Sequence, residues 1–510
     1  MYNRTKSSVC LLLAMGLSLA ACSSDTETSA DQLRKIVNDL NLTGDPAAGR
    51  VLPAISDPKA QLGMKVFFSK ILSAAGDSAE RMDSACVSCH HPMLGGGDDL
   101  PLPIGVQAEA ADLLGPGRFH SLVHVMDDNG GAGGGEYDGG PTVPRNAPTT
   151  FNIALWDQML FHDGRVESLG KTAGANGDDG SGIRTPDSAF GVADTNAGAN
   201  LVAAQSRFPV TSPEEMKGFN GVTALTGTND DVRLDISATM DVTNWDAEFD
   251  AVYGGTDGVA GTVVGNPYAR IAEVIGEYER SQVFVDTPWK AFVAGDNAAI
   301  SESAMQGALL FFRSTDKGGA DCVSCHSGDF FTDEKFHVTA MPQIGRGKGN
   351  NNGTLTNDDF GRFRETGNAA DMYAFRTPTL LNVEVTGPWS HAGAYTSLEA
   401  VVRHHLDPDA AIANYDFSQL PPNVQADSML TNTQFALDTL AANRVAQLSG
   451  TLQNVSLSDT QVADIVEFLK ALTDPCVKDR ACMADWIPDA GDSNPDALRL
   501  NAVDNFGQYL

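Results

Sequence analysis

Apolar residues recur at helical spacing in several separate stretches of this chain, with long polar, glycine-rich stretches between them. Met305, Ala308, Leu309 and Phe312 share one face of a helix that Ser301 can cap. Asp57 followed by Pro58 can start a similar helix that runs to Phe67 and Phe68. Ser458 and Gln461 make a capping box ahead of the apolar face Val462, Ile465, Val466 and Leu469. Stretches near 127–140, 171–200, 221–262 and 345–370 are rich in Gly, Asp and Asn and read as surface loops, with strands expected around Val232–Ile236. The expected fold class is mainly α, with much loop.

Comparing the chain with itself reveals a duplication. Gln61-Leu62-Gly63-Met64-Lys65-Val66-Phe67-Phe68 answers Met305-Gln306-Gly307-Ala308-Leu309-Leu310-Phe311-Phe312, with the glycine and the double Phe in register. Further on, Arg145, Pro148-Thr149-Thr150-Phe151-Asn152 and His162-Asp163-Gly164-Arg165-Val166-Glu167-Ser168-Leu169 answer Arg376, Pro378-Thr379-Leu380-Leu381-Asn382 and His391-Ala392-Gly393-Ala394-Tyr395-Thr396-Ser397-Leu398. Two homologous domains are expected, at 46–285 and 286–475, with a C-terminal tail at 476–510.

Each half carries one Cys-Val-Ser-Cys-His run, Cys86–His90 and Cys322–His326. Two thiols at this spacing add across haem vinyl groups and deliver the adjacent histidine to the iron. Zinc binding and thioredoxin-like chemistry are the rivals, but neither requires this pattern twice in an exported chain. Two covalent haem c groups are expected, bound by Cys86, Cys89, His90, Cys322, Cys325 and His326. Cys476 and Cys482 have no histidine nearby and read as a short-loop disulfide or, failing that, two free thiols.

Composition narrows the partners. At a net charge of −32 the chain is no nucleic-acid binder, because phosphates demand Lys and Arg. The acidity serves solubility, and Asp-rich loops also suit calcium. Arg4 and Lys6 precede the apolar run Val9–Ala21, which is too short to span a bilayer. It ends in Leu19-Ala20-Ala21-Cys22, which resembles a bacterial lipoprotein cleavage box, with an ordinary secretory signal as the alternative. A signal peptide at 1–22, lipidation at Cys22, a flexible tether at 23–45 and a periplasmic, outer-membrane anchored location are therefore expected; Ser23 after the cysteine suggests the outer membrane.

Taken together, the motifs resemble the bacterial di-haem cytochrome c peroxidase family, including its protein-modifying relatives, from about residue 52 to 475. The matching pieces include Phe67-Phe68, Arg145-Asn146-Ala147-Pro148-Thr149, Asp163-Gly164-Arg165, Pro213-Glu214-Glu215-Met216, Gly361-Arg362-Phe363 and Thr386-Gly387-Pro388-Trp389-Ser390-His391. The resemblance implies two tandem cytochrome c-like haem domains, the first peroxidatic and the second electron-transferring. It implies hydrogen peroxide as substrate and a small cytochrome c or cupredoxin as electron donor. It places Glu215 and Gln205 in catalysis, with Glu214 as the neighbour that could be mistaken for Glu215. It also implies a calcium ion between the domains at Asn146, Thr386 and Pro388. Some members oxidise a protein substrate instead, and a non-catalytic electron carrier is a rival of another class.

The chain departs from the family pattern in three places. The segment Pro103-Ile104-Gly105-Val106 lacks the histidine that many members place on the resting peroxidatic iron, leaving His120 or His124 as substitutes. His405 stands where a distal methionine is usual, with His404 beside it; bis-histidine ligation lowers a haem's potential. His162 stands where the family has an inter-haem tryptophan, so His162 is either core or relay, and Trp156 and Trp389 are other relay candidates. His91 and His337 have no assigned role.

Overall fold

The computed structural model describes residues 27–73, 82–106, 108–119, 141, 143–218, 227–261, 266–345, 347–348 and 358–510. The signal segment with Cys22, and His120 and His124, lie outside the described residues. The helices run α1 (Ser29–Asp39), α2 (Pro58–Phe67), α3 (Leu201–Gln205), α4 (Asn229–Asp241), α5 (Trp245–Tyr253), α6 (Ala269–Arg280), α7 (Pro288–Val293), α8 (Glu302–Phe312), α9 (Phe363–Thr366), α10 (Leu398–Leu406), α11 (Pro408–Ala413), α12 (Met429–Val445) and α13 (Asp459–Lys470). Strands are few and short among the described residues. β1 (Met159–Leu160), β2 (Val166–Ser168) and β3 (Ile183–Arg184) form one antiparallel sheet, and β4 (Phe336–His337) pairs with β5 (Phe375–Arg376). The chain is mainly helical, as its periodicity implies.

Two large apolar cores organise it. The first gathers Leu62, Phe67, Phe68, Ile271, Ile275 and Tyr278 around the crossing of α2 with α6. The second gathers Ala308, Phe311, Phe312, Ile465, Phe468 and Leu469 around the crossing of α8 with α13. The crossings are built alike. A methyl group added at Gly63 would strike the Val274 carbonyl, and one at Gly307 would strike the Asp464 carbonyl. Only glycine lets the backbones approach so closely. Ring contacts repeat too: Phe67 meets Tyr278 at 5.0 Å and Phe311 meets Phe468 at 5.2 Å.

The repeated asparagines finish the match. Asn152 and Asn382, both with φ near +60°, each donate a side-chain N–H to the same Phe284 carbonyl, at 3.0 and 2.9 Å. Their backbone N–H groups donate to Gln282 and Leu472, and their Oδ1 atoms accept from Phe284 and Asp474. Between the halves, the Arg145 guanidinium spans Asp359 (2.6 and 2.8 Å) and Asp163 (2.5 Å), all three buried. Arg362 likewise reaches Glu167 at 2.6 Å.

Two expectations are corrected. Residues 29–39, placed in a flexible tether, form α1: Thr28 and Asp31 make a capping box, and Leu33 and Val37 enter the second core. The strands expected around Val232–Ile236 are instead the middle of α4. There Thr228 caps with Asp231, and Val232, Ile236 and Met240 recur every four residues on its buried face. The tail at 476–510 is also no loose end, since Val477, Met483, Ile487, Leu500 and Ala502 pack into the first core. Cys476 and Cys482 are joined, with Cα atoms 5.3 Å apart. Among the described residues no helix is long and apolar enough to cross a membrane.

Candidate haem and peroxide site

Both Cys-Val-Ser-Cys-His runs begin with a short 3-10 turn, and Cys86, Cys89 and His90 line one cavity. His90 Nδ1 lies 3.1 Å from the Gly96 carbonyl, and His326 Nδ1 lies 3.1 Å from that of Phe331. A carbonyl only accepts, so Nδ1 carries the proton and Nε2 is left with its lone pair free for a metal. Burial, followed by the neighbouring His405, holds His326 down to about 4, in the neutral form a ligand needs.

What stands opposite each histidine differs. In the second half, His405 on α10 donates Nδ1–H to the Val401 carbonyl at 2.8 Å, which frees its Nε2. Its ring centroid lies 6.5 Å from that of His326. With both Nδ1 atoms committed to carbonyls, the two Nε2 lone pairs are the donors that would hold one metal between the rings. His404 points elsewhere: its nitrogens meet the Tyr395 hydroxyl and the Thr339 carbonyl, each at 2.8 Å.

In the first half, His90 lines one cavity together with Cys86, Cys89, Gln205, Glu215 and Met216. Gln205 ends α3, whose start is capped by Asn200. Glu215 sits in the tight turn Pro213–Lys217, pressed against Gly105, where any side chain would collide with the carbonyls of Glu214 and Glu215. Glu214 is turned away and accepts from the Ser212 hydroxyl at 2.9 Å. Arg145, Arg165 and Lys348 bring positive charge to the same cavity. Burial, then Arg165 and Arg145, lower the Lys348 ammonium to about 8. A pocket with two thiols, an imidazole and several cations suits a covalently held porphyrin with anionic propionates.

His162 also lines this cavity, and its Nε2–H donates to the Asn146 carbonyl at 3.0 Å. Burial first, with help from Arg145, depresses it to about 3, so it stays neutral. Trp156 is buried under the Arg376 guanidinium, 3.4 Å from its ring centre, and Trp389 lies half-buried with its indole N–H on the Val383 carbonyl. The Asn146 side-chain amide meets the Pro388 carbonyl at 2.6 Å. Turned over, the amide would present Oδ1 to that carbonyl, two hard acceptors that only a cation could join. Thr386 precedes Pro388 in the same turn. His91 is wholly buried and accepts the Met93 N–H, while His337 pairs with Asp333 at 2.8 Å beside Cys325.

Residues 57–298 match the family described as di-haem cytochrome c peroxidase. Over those residues, just under half of its length, the chain resembles that family. It is accordingly an oxidoreductase of the cytochrome c peroxidase type, and the family implies two haem c cofactors. Methylamine utilization protein MauG of Methylorubrum extorquens is 25% identical over 69% of this chain and 69% of its own length. The protein of the same name from Methylophilus methylotrophus is 24% identical over 83% and 85%. Cytochrome-c peroxidase IdrP1 of Denitromonas iodatirespirans is 26% identical over 68% and 71%. The fold is shared with a MauG-like protein associated with microbial copper homeostasis (TM-score 0.50, 19% identity, 85% of this chain and 96% of that one). It is shared too with the diheme peroxidase BthA of Burkholderia thailandensis (TM-score 0.50, 20% identity, 89% and 92%).

Residue-by-residue reading of the sequence missed Glu279 and Lys348, which also line the first-half cavity. Extending the self-comparison to α6 and α13 would have exposed Glu279. Lys348 arrives from a glycine-rich stretch with no counterpart signal.

Proposed function

We propose that this protein reduces hydrogen peroxide to water, H2O2 + 2 e− + 2 H+ → 2 H2O, in its first half, with electrons entering through the second. The donor is a small redox protein, a cytochrome c or a cupredoxin. The observation that carries this reading is the difference between the two imidazoles. His326 faces His405, with ring centroids 6.5 Å apart, whereas His90 shares its cavity with a carboxylate and an amide. Such a division suits one site that passes electrons and one that meets a small oxidant. Two tandem cytochrome c-like domains, 46–285 and 286–475, would carry these roles.

When bound, the haems supply one-electron chemistry and an iron for peroxide. The residues of the chain do the rest. Glu215 takes the proton from one peroxide oxygen and returns it to the departing one, and Gln205 holds the peroxide by hydrogen bonds. Arg165 and Lys348 offset negative charge in the cavity, and neutral His162 keeps its proton on Asn146. In the second half His326 and His405 would hold the iron, whose haem would pass electrons on. Asn146, with the carbonyls of Thr386 and Pro388, would hold calcium and fix the halves together. Cys22 would carry lipid and tether the enzyme on the periplasmic side, at the outer membrane.

A second reading, oxidation of residues on a partner protein, gains support from the imidazole at position 405, which favours a lower potential than methionine would. Steady-state peroxide consumption with a reduced small cytochrome separates the two. The peroxidase reading expects fast turnover that Glu215→Gln lowers by about 10²–10⁴-fold, with two haems per chain retained. Negligible turnover by the unaltered protein would overturn it in favour of the second reading.

A further inference from the structure

The matched contacts of the two halves put α6 and α13 in one register. Val274 pairs with Asp464 at the glycine crossings, Tyr278 with Phe468 in the ring contacts, and Gln282 with Leu472 at the repeated asparagines. In that register Glu279 occupies the place of Leu469. Both side chains are 5% exposed. Leu469 is ordinary core. Glu279 is a carboxyl that lines the first-half cavity with His90 and Glu215, and its Oε2 has no hydrogen-bond partner among the described residues. A buried acid without a partner costs stability where an apolar residue would not, and such exceptions to local rules gather at functional positions.

Several titratable and charged groups surround it. Cys86 faces it from the haem-attachment turn and becomes a non-titrating thioether once haem is bound. Tyr278, on its own helix, is occupied in donating to the Trp486 carbonyl at 2.7 Å. Across the cavity lie Glu215, Arg145, Arg165, Lys348, His162 and His90, and α2 contributes only Phe67. Arg145 is committed to Asp163 and Asp359. Burial lifts the Glu279 carboxyl to about 8, and the positive charge of an oxidised haem beside it would lower it again, so whether it holds its proton near neutral pH follows the charge on the iron.

We infer that Glu279 is the redox-linked acid of the first haem: each electron delivered to that iron by the donor protein is matched by one proton that the Glu279 carboxylate takes from solvent, and each electron withdrawn releases it. The buried net charge is then the same in both states. This role rests on haem attachment at Cys86 and Cys89 and on no particular oxidant. Reduction removes positive charge near the carboxyl and strengthens its hold on the proton. By reciprocity the potential of that haem falls as pH rises, by at most about 59 mV per pH unit for one electron.

The test is spectroelectrochemical titration of each haem in the full-length di-haem protein, over roughly pH 6 to 9. The unaltered protein should show a sloping potential at the first haem. Glu279→Gln should lose at least half of that slope, Glu215→Gln should keep it, and the second haem should not change. Infrared difference spectra should show a protonated-carboxyl C=O band that grows on reduction and disappears in Glu279→Gln. Glu279→Leu, which copies the second half, should behave like Glu279→Gln; the near-isosteric Gln variant keeps the test decisive if Leu disturbs folding. An unchanged slope in Glu279→Gln, or a carboxyl band that persists there, overturns the role. Fewer than two haems per chain in the unaltered protein would instead overturn the haem reading beneath it.

Discussion

The two halves hold the histidines of their Cys-Val-Ser-Cys-His runs in the same way, each with Nδ1 on a backbone carbonyl at 3.1 Å, and cross their helices at equivalent glycines. They part company at a handful of side chains. One half sets His405 against His326. The other sets Gln205, Glu215 and Glu279 around His90. A duplicated scaffold can thus be specialised without touching its backbone contacts, because the contacts that fix the fold and the groups that face the cavity are different residues. The difference between the halves is concentrated where carboxyl and amide groups stand in place of an apolar residue or an imidazole.

The largest expected break in this symmetry is thermodynamic and concerns Glu279. Its carboxyl rises from 4.5 unfolded to about 8 folded, so the native state binds more protons between those values. The favourable balance is intact below about pH 4.5 and is lost as pH rises to 8, by at most about 5 kcal/mol. Denaturant unfolding should find Glu279→Gln more stable than its parent at pH 8 and equal to it near pH 4. Leu469→Gln in the other half should only destabilise. Next comes the join between the halves. Burial alone would lower the Arg145 guanidinium, but Asp163 and Asp359 hold it above its ordinary value, and they are themselves held low. Arg145→Leu leaves the buried Asp359 without its cation and Asp163 with Arg165 alone at 3.3 Å, and should cost about 3–5 kcal/mol, read as a fall in the unfolding midpoint.

Smaller effects test how alike the crossings are. Gly63→Ala and Gly307→Ala should each cost about 1–3 kcal/mol, and by similar amounts, since each methyl meets a backbone carbonyl. A large difference between them would show that one crossing yields more easily. Thr28→Ala removes the α1 cap and should cost about 1 kcal/mol, felt in the second half alone.

Much of this was legible from residues 61–68 and 305–312, because glycine and paired phenylalanines at helical spacing encode a crossing. The haem-attachment runs were legible because their spacing is chemical. Glu215 was separable from Glu214 only in three dimensions, since Gly105 and Ser212 decide which carboxylate faces the cavity. His405 was distinguished from His404 by what Tyr395 and Thr339 occupy. The α4 segment was misread as strand because Val232 and Ile236 favour strands locally, while the face they share with Met240 is buried as a helix. The α1 segment looked like a tether because two apolar residues carry little signal without the core that receives them.

The ends of the chain are exchanged. Residues 29–39 rest on the later half, and residues 477–502 rest on the earlier one, with the Lys70 and Leu500 N–H groups donating to Leu498 and Phe68, and Trp245 donating to Asp496. During synthesis the earlier half is therefore the first to appear and the last to be completed. Its core stays open until the final thirty or so residues arrive, about the stretch from 477 onward. A chain stopped short after the second haem run would carry both attachment sequences and still lack the lid of its first core.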